Sequence, residues 1–374
     1  MRLFSFCTVW WLFALVATVR GVLVSGSSLA IPVVRVDLTS YGYQELEAKQ
    51  TEAVLGNIGS NVVFISEQVA VIYHTKPDGM RVAAANGTLT ALFVDSTTGQ
   101  LIRKQEWRTV RRRGVFDGKD SEASIFPLSE NRYLVMASGT LYLYDGAGSL
   151  IVQKILDSGF WSIQPIENGT GLLFRHELKD RSHSFVKYIW ADSHTLTPRV
   201  EFVDTQEYRS QTVMNGFGTS LAYSKPDGIH GVAADGKDHV LCSDEFCRES
   251  AFDGEVKSGL VVDSRFGIGV LSLTNGMVWL KSIQPAGGLD RVTVSESESS
   301  LDGRRLGIMV LRGSKYRTFD GVKLEKASEI FILDSGDGKR LTVLPSGDSA
   351  FALSPAGDKA VTFDHKLLRI YQIP

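Results

Sequence analysis

Residues 347–374 read GDSAFALSPAGDKAVTFDHKLLRIYQIP. Three short apolar runs, Ala350–Leu353, Ala360–Phe363 and Leu367–Ile373, are separated by Ser-Pro-Ala-Gly-Asp and by Asp-His-Lys. Runs of this length, cut by residues that favour turns, predict antiparallel strands in a meander.

Looser copies of the unit recur upstream. The clearest contain Val69–His74, Leu89–Val94 and Leu101–Trp107, then Tyr133–Ala137, Thr140–Tyr144 and Leu150–Leu156, then Gly171–His176, Phe185–Ala191 and Arg199–Val203. A fourth unit, Arg209 to Cys247, is irregular. The fifth is read as Ser258–Val262, Gly267–Leu273 and Gly276–Ser282, and the sixth includes Leu306–Leu311, Glu329–Leu333 and Arg340–Leu344. Asp-led turns punctuate them: Asp95-Ser-Thr-Thr-Gly99, Asp145-Gly-Ala-Gly148, Asp192-Ser-His-Thr and Asp334-Ser-Gly-Asp-Gly338. Gly99 and Gly148 stand 49 residues apart. A period of 40–50 residues with four short strands is the mark of a β-propeller.

The chain is therefore expected to be all-β: a single seven-bladed propeller over residues 31–374. The last unit supplies only three strands, while Val33–Leu38 is an alternating strand without a unit. Pairing Val33–Leu38 with Leu367–Ile373 would complete the last blade and close the ring, protecting two edges. Ala350–Leu353, Ser124–Pro127 and Ser258–Val262 are taken as inner strands.

Val94 to Leu101, leading to Trp107, resembles the blade motif of quinoprotein-like propellers. Ser354-Pro-Ala-Gly-Asp-Lys359 and Leu301-Asp-Gly-Arg-Arg-Leu306 resemble the inner turn of WD40-like and TolB-like blades. The Trp-Asp dipeptide is absent, as is the adjacent-cysteine pair of quinone-dependent propeller enzymes. The resemblance is to a superfold, which hosts many functions.

The N-terminus reads as a targeting segment. Leu3 to Val19 carries no charge, and Ser28-Leu29-Ala30 fits a signal-peptidase site, with Val24-Ser25-Gly26 as a second candidate. Residues 1–30 are accordingly read as a signal peptide, with an uncleaved anchor as the alternative, and the protein as exported to the periplasm or beyond. Loss of Arg2 and Arg20 with this segment takes the formal charge from −2 to −4, which excludes a bulk nucleic-acid binder. Cys7 lies in the leader, leaving Cys242 and Cys247 across a four-residue turn. In an exported chain this spacing predicts a disulfide, here expected to staple a hairpin.

No histidine sits in a recognisable metal pattern, and no Gly-x-Ser-x-Gly elbow occurs. His176 and His183 flank a polar segment expected to be a solvated loop. No catalytic residue, metal or cofactor is assigned. Charge is distributed unevenly. Residues 108–119 carry four arginines and Lys119 against Asp117, and residues 312–326 carry Arg312, Lys315, Arg317, Lys323 and Lys326 against Asp320 and Glu325. In a propeller both segments are expected to be loops on one face. Arg111, Arg112, Arg113, Lys315, Tyr316 and Arg317 are the candidate binding residues. The expected function is a monomeric, non-catalytic scaffold that binds a protein or anionic glycan through that face. The alternative is an enzyme in the central funnel, a lyase, hydrolase or quinone-dependent oxidoreductase, which would need titratable groups converging on the axis.

Overall fold

The computed structural model describes residues 30–43, 61–77, 86–110, 123–157, 160–180, 183–204, 212–215, 220–232, 238–249, 251–257, 259–264, 267–272, 276–281, 291–318, 321–346, 350–364 and 366–374. Residues 1–29, all but the last residue of the segment expected to be a signal peptide, lie outside them.

The first strand, β1 (Val34–Asp37), stands apart in sequence from its sheet. The next strands form four-stranded antiparallel sheets in chain order. Sheet 1 is β2 (Asn61–Ser66), β3 (Val69–Pro77), β4 (Asn86–Asp95) and β5 (Leu101–Val110). Sheet 2 is β6 (Ser124–Pro127), β7 (Tyr133–Ala137), β8 (Thr140–Tyr144) and β9 (Leu150–Ile155). Sheet 3 is β10 (Phe160–Ile166), β11 (Gly171–Asp180), β12 (His183–Asp192) and β13 (Pro198–Asp204). Sheet 4 is β14 (Thr212–Asn215), β15 (Ser220–Lys225), β16 (Gly228–Val232) and β17 (Asp238–Cys242). A one-turn helix, α1 (Glu245–Arg248), precedes sheet 5, which is β18 (Ala251–Val256), β19 (Gly259–Ser264), β20 (Gly267–Ser272) and β21 (Gly276–Lys281). Sheet 6 is β22 (Arg291–Ser299), β23 (Arg305–Thr318), β24 (Gly321–Asp334) and β25 (Arg340–Ser346). Sheet 7 is β26 (Ala350–Leu353), β27 (Lys359–Asp364) and β28 (Leu367–Gln372), with β1 as its fourth and outermost strand. Val34 pairs with Ile370, and Val36 with Leu368.

First strands lie side by side: β10 next to β6, then β2, β26, β22, β18 and β14. They surround the axis, and most of the apolar clusters fill seams between neighbouring sheets. One cluster joins Phe64, Ile72 and Val94 of sheet 1 to Val361, Phe363 and Ile370 of sheet 7. This all-β arrangement is that of a β-propeller.

Sheet 5 corrects the sequence reading. Its inner strand is Ala251–Val256, and the strand expected to be inner over Ser258–Val262 is observed as the second strand, Gly259–Ser264. Ala251-Phe-Asp-Gly-Glu-Val has the look of a turn. Its register shifts between Phe252 and Gly254, so a bulge absorbs the Asp-Gly that argued against a strand.

The turns between third and fourth strands repeat one construction. Asp95 Oδ1 accepts from the amides of Thr97 (2.8 Å) and Thr98 (2.7 Å). Asp145 accepts from the Ser149 amide (2.7 Å), Asp192 from that of His194 (2.8 Å) and Asp334 from that of Gly336 (2.9 Å). Each turn ends on a residue of positive φ: Gly99, Gly148, Leu196 and Gly338. In three of them the serine after the aspartate is buried, and its amide donates to the first turn of the same sheet: Ser96 to Gln68 O, Ser193 to Thr170 O and Ser335 to Arg304 O.

The preceding sheet's outer strand then seats on that positive-φ residue. Arg103 of β5 donates to Ala147 O (3.1 Å), and a Cβ on Gly148 would lie 3.0 Å from its Cζ. Lys154 of β9 donates to Leu196 O (3.2 Å). Trp279 of β21 donates to Ser335 O (2.7 Å), and a Cβ on Gly338 would be 2.7 Å from its ring. Strand β1 does the same: a Cβ on Gly99 would sit 2.7 Å from Val36 Cγ2, and Tyr41 Oη donates to Gly99 O. The N-terminal strand thus makes the contact that outer strands make elsewhere.

Asp192 gives this face a pH dependence. Burial pushes its carboxyl up, but donation from Arg199 and from the His194 and Thr195 amides outweighs burial and holds it at about 2, against an ordinary 3.8. A carboxyl depressed in the folded state stabilises above its unfolded value, and that contribution is lost as pH falls toward the folded one. Asp192→Asn is expected to cost about 1 kcal/mol at pH 7, allowing for solvent screening at a turn. Urea unfolding should show the gap to wild type closing as pH falls from about 4 to about 2; an unchanged gap there would refute this account.

Candidate functional site

Strand alternation divides the connections between two faces. First-to-second and third-to-fourth turns emerge on one, where the capped turns described above interlock. Inter-sheet links there include Lys257 N to Gly303 O, Asp302 N to Pro355 O, and Ala356 N to Glu67 Oε1. Second-to-third hairpins and sheet-to-sheet links emerge on the other face.

On that second face the β23–β24 hairpin projects. Among the described residues, pairing of β22 with β23 runs out to Arg291↔Gly313, and pairing of β25 with β24 runs out to Ser328↔Ser346. The β23–β24 register continues through Lys315↔Leu324, Tyr316↔Lys323 and Arg317↔Val322 to Thr318↔Gly321. Residues 314–318 therefore add a two-stranded ribbon of about 17 Å beyond the sheet, at ~3.3 Å per residue. This corrects the expectation of a loop over 312–326. Gly313, Ser314 and Gly321 suggest a loop, yet the backbone stays paired across all of them. Lys315, Tyr316 and Arg317 all lie on this ribbon. Arg111, Arg112 and Arg113 lie outside the described residues, directly after β5, which ends at Val110 on the same face. Sheet 7 stands between sheets 1 and 6.

The axis holds a cavity of about 320 Å³, lined from six of the sheets. Its polar lining includes Asn61, Gln164, Asn168, Ser297, Glu298 and Ser299. Apolar lining comes from first strands, including Phe64, Phe126 and Phe351, and from the second strands through Val261 and Leu306. Glu298 is the one carboxylate among the described lining residues.

The histidine pair is not a site in a loop. Both residues lie in the β11–β12 hairpin, where strand pairing runs out to Asp180↔His183. His176 is buried and stacks on Trp161, with centroids 3.9 Å apart and planes 10° apart. The polar run Glu177–Ser182 invites a loop reading because a strand that projects past its sheet has no need of an apolar face.

Cys242 and Cys247 form a disulfide with a Cα–Cα distance of 5.8 Å. It does not staple a hairpin. Cys242 ends β17 and Cys247 sits in α1, whose cap, Asp244, accepts from the Cys247 amide (2.8 Å). Asp-Glu at a helix start was the overlooked signal. The bridge holds α1 so that Phe246 is buried among Ile229 of sheet 4 and Val262 and Leu271 of sheet 5.

Between sheets 1 and 2, Arg103 lies 3.9 Å above the Phe93 ring and donates to Tyr133 Oη (3.2 Å). Burial pushes the Tyr133 phenol up to about 12, against the pull of Arg103. It stays protonated and donates to Gln105 Oε1 (2.9 Å). This cluster is polar and engaged in the seam.

No protein-family model and no curated protein matches the chain. Solved structures do. The WD40 domain of Pan2 from Neurospora crassa aligns over 93% of this chain and 96% of that domain, with a TM-score of 0.50 at 10% identity. Sqt1 from Chaetomium thermophilum, solved bound to the N-terminus of ribosomal protein L10, aligns over 84% of this chain and 96% of that one, with a TM-score of 0.44 at 11% identity. At such identities the likeness is one of fold: this chain is a β-propeller similar to WD40 propellers.

Proposed function

We propose that the protein is an exported, non-catalytic scaffold, a seven-bladed ring closed by β1, that binds a carboxylate-bearing partner through the ribbon face. The partner is an acidic protein segment or a carboxylated glycan. The projecting β23–β24 ribbon carries the reading. It adds nothing to the interlocked turns of the opposite face, and its two paired strands carry Lys315, Arg317 and Lys323 within three register positions of one another. Cations concentrated on one face of a chain of net negative charge attract anionic partners and steer their approach.

The test uses the full chain with Lys315→Gln, Arg317→Gln and Lys323→Gln combined. Binding of a poly-glutamate peptide and of an oligogalacturonate should fall by about tenfold or more at low salt, as expected when steering charges are removed. Neutral oligogalactose should bind neither form. Equal binding of the anionic probes by both forms would reject the ribbon as the site. The signal reading is checked separately, by the N-terminal mass of the exported chain.

A further inference from the structure

We infer that Asn168 is an acceptor for an N-linked oligosaccharide, a role that rests on the export reading because the transfer takes place on the lumenal side of a secretory membrane. Asn168-Gly169-Thr170 has the acceptor spacing, a carboxamide with a hydroxyl two residues on. The fold adds the accessibility that this chemistry needs. The three residues belong to the turn between β10 and β11, on the face of the interlocked turns. Asn168 and Thr170 are both exposed, and Gly169 between them is buried. Asn168 takes a left-handed conformation (φ 57°, ψ 31°), which asparagine adopts more readily than most residues. Gly169 follows at φ 78°, and a Cβ on it would lie 2.6 Å from the Ser129 amide nitrogen in the neighbouring turn of sheet 2. The middle residue is thus pinned against the disc, while the two residues that an oligosaccharyltransferase reads stand out on either side of it.

The second copy of the pattern, Asn86-Gly87-Thr88, has a different setting. It opens β4, where Gly87 and Thr88 are paired on both sides, with Pro77 and Lys76 of β3 and with Thr109 and Arg108 of β5. Asn168 is therefore the acceptor that the fold presents on a turn. In the transfer, its carboxamide nitrogen forms a bond to the anomeric carbon of a polyprenyl-diphosphate oligosaccharide. The bond from that carbon to the diphosphate oxygen breaks, the polyprenyl diphosphate leaves with the electron pair, and one amide proton passes to a base of the enzyme. Asn168 also lines the turn-face end of the axial cavity, with Leu301, Gly303 and Pro355. A glycan there stands on the face opposite the ribbon, so it leaves the proposed partner site open.

The full chain, translated with its own N-terminal segment in the presence of rough microsomes, provides the test. Protease protection reports entry into the lumen, and peptide mapping after enzymatic deglycosylation, which converts a modified asparagine to aspartate, reports which residue carried the glycan. Protected chains should carry a glycan at Asn168. Asn168→Gln and Thr170→Ala should each abolish it, and Thr170→Ser, which keeps the hydroxyl, should retain it. A protected chain with unmodified Asn168 would overturn the inference and leave the export reading standing. A chain that stays open to protease would overturn both. The decisive reading is made on the wild-type chain, so it does not depend on any variant folding.

Discussion

A chain ending at Lys366 is expected to lose its cooperative unfolding transition. The missing segment contributes Leu368, Ile370 and Tyr371, all fully buried, and Ile373, 4% exposed. At about 1.5–3 kcal/mol for each buried apolar side chain, their loss removes about 6–12 kcal/mol. That equals the whole stability of an ordinary domain, roughly 5–15 kcal/mol. The loss is not confined to one edge. Strand β28 pairs with β27 on one side and β1 on the other. Without it, β1 has no partner, and Gly99 of sheet 1 loses Val34 and Val36 from above it. Thermal melts followed by circular dichroism and dye binding should show a broad, non-cooperative profile. Deleting residues 30–37 alone should do less, because only Val36 in that span is buried. If the chain of residues 1–366 melts within about 5 °C of the full chain, the last sheet does not hold the disc together, since a loss of even a few kcal/mol shifts the midpoint by more.

The third-to-fourth strand turns were readable because their physics is local. Asp95 caps amides two and three residues on, and Gly99 takes a left-handed conformation inside the same five residues. Alternation in Val34 and Val36 was local too, and the three-stranded last unit left a place for such a strand. The errors fall where a local signal competes with distant pairing. Asp253-Gly254 is turn chemistry, but β19 supplies a ladder around it. Gly313 and Gly321 are turn chemistry, but fourteen-residue strands carry the pairing past the first and up to the second. The four outer-strand contacts had no sequence signal. Val34, Arg103, Lys154 and Trp279 have no chemistry in common, and only the place they occupy relates them. The candidate binding residues were readable as charge, since clusters of arginine and lysine need no structure to be noticed. Their carrier was not, because a projecting ribbon and a solvated loop have the same composition.

The two faces of the disc divide the work between them. On one, backbone groups of neighbouring turns satisfy each other, so its residues are fixed by geometry. On the other, hairpins of unequal length leave the disc: β3–β4, β11–β12 and β23–β24 are each longer than the second-to-third hairpins of sheets 2, 4, 5 and 7. Length added there leaves the sheets intact, which is why a recognition element can grow on that face at little cost to the fold.

Gly307 and Phe351 provide the sharpest test of the seam between sheets 6 and 7. Gly307, the third residue of β23, pairs with Glu298 and Ile332. It is not there for a special backbone angle. A Cβ built on it would lie 2.5 Å from Phe351 Cε2, 3.2 Å from Cζ and 3.5 Å from Ile332 Cδ1. Phe351 is 1% exposed on β26. The glycine is the hollow that admits the ring, as glycines inside strands often are. Gly307→Ala alone should overpack the seam and cost about 1–3 kcal/mol. Phe351→Ala alone should leave a cavity and cost about 3–5 kcal/mol. The double variant should cost less than the two together by about 1 kcal/mol or more, because the clash disappears with the ring and the new methyl fills part of the hole. Urea midpoints of the four chains close this cycle. Costs that add within about 0.5 kcal/mol would mean that the two residues are not in contact, and the packing assigned to this seam would be wrong.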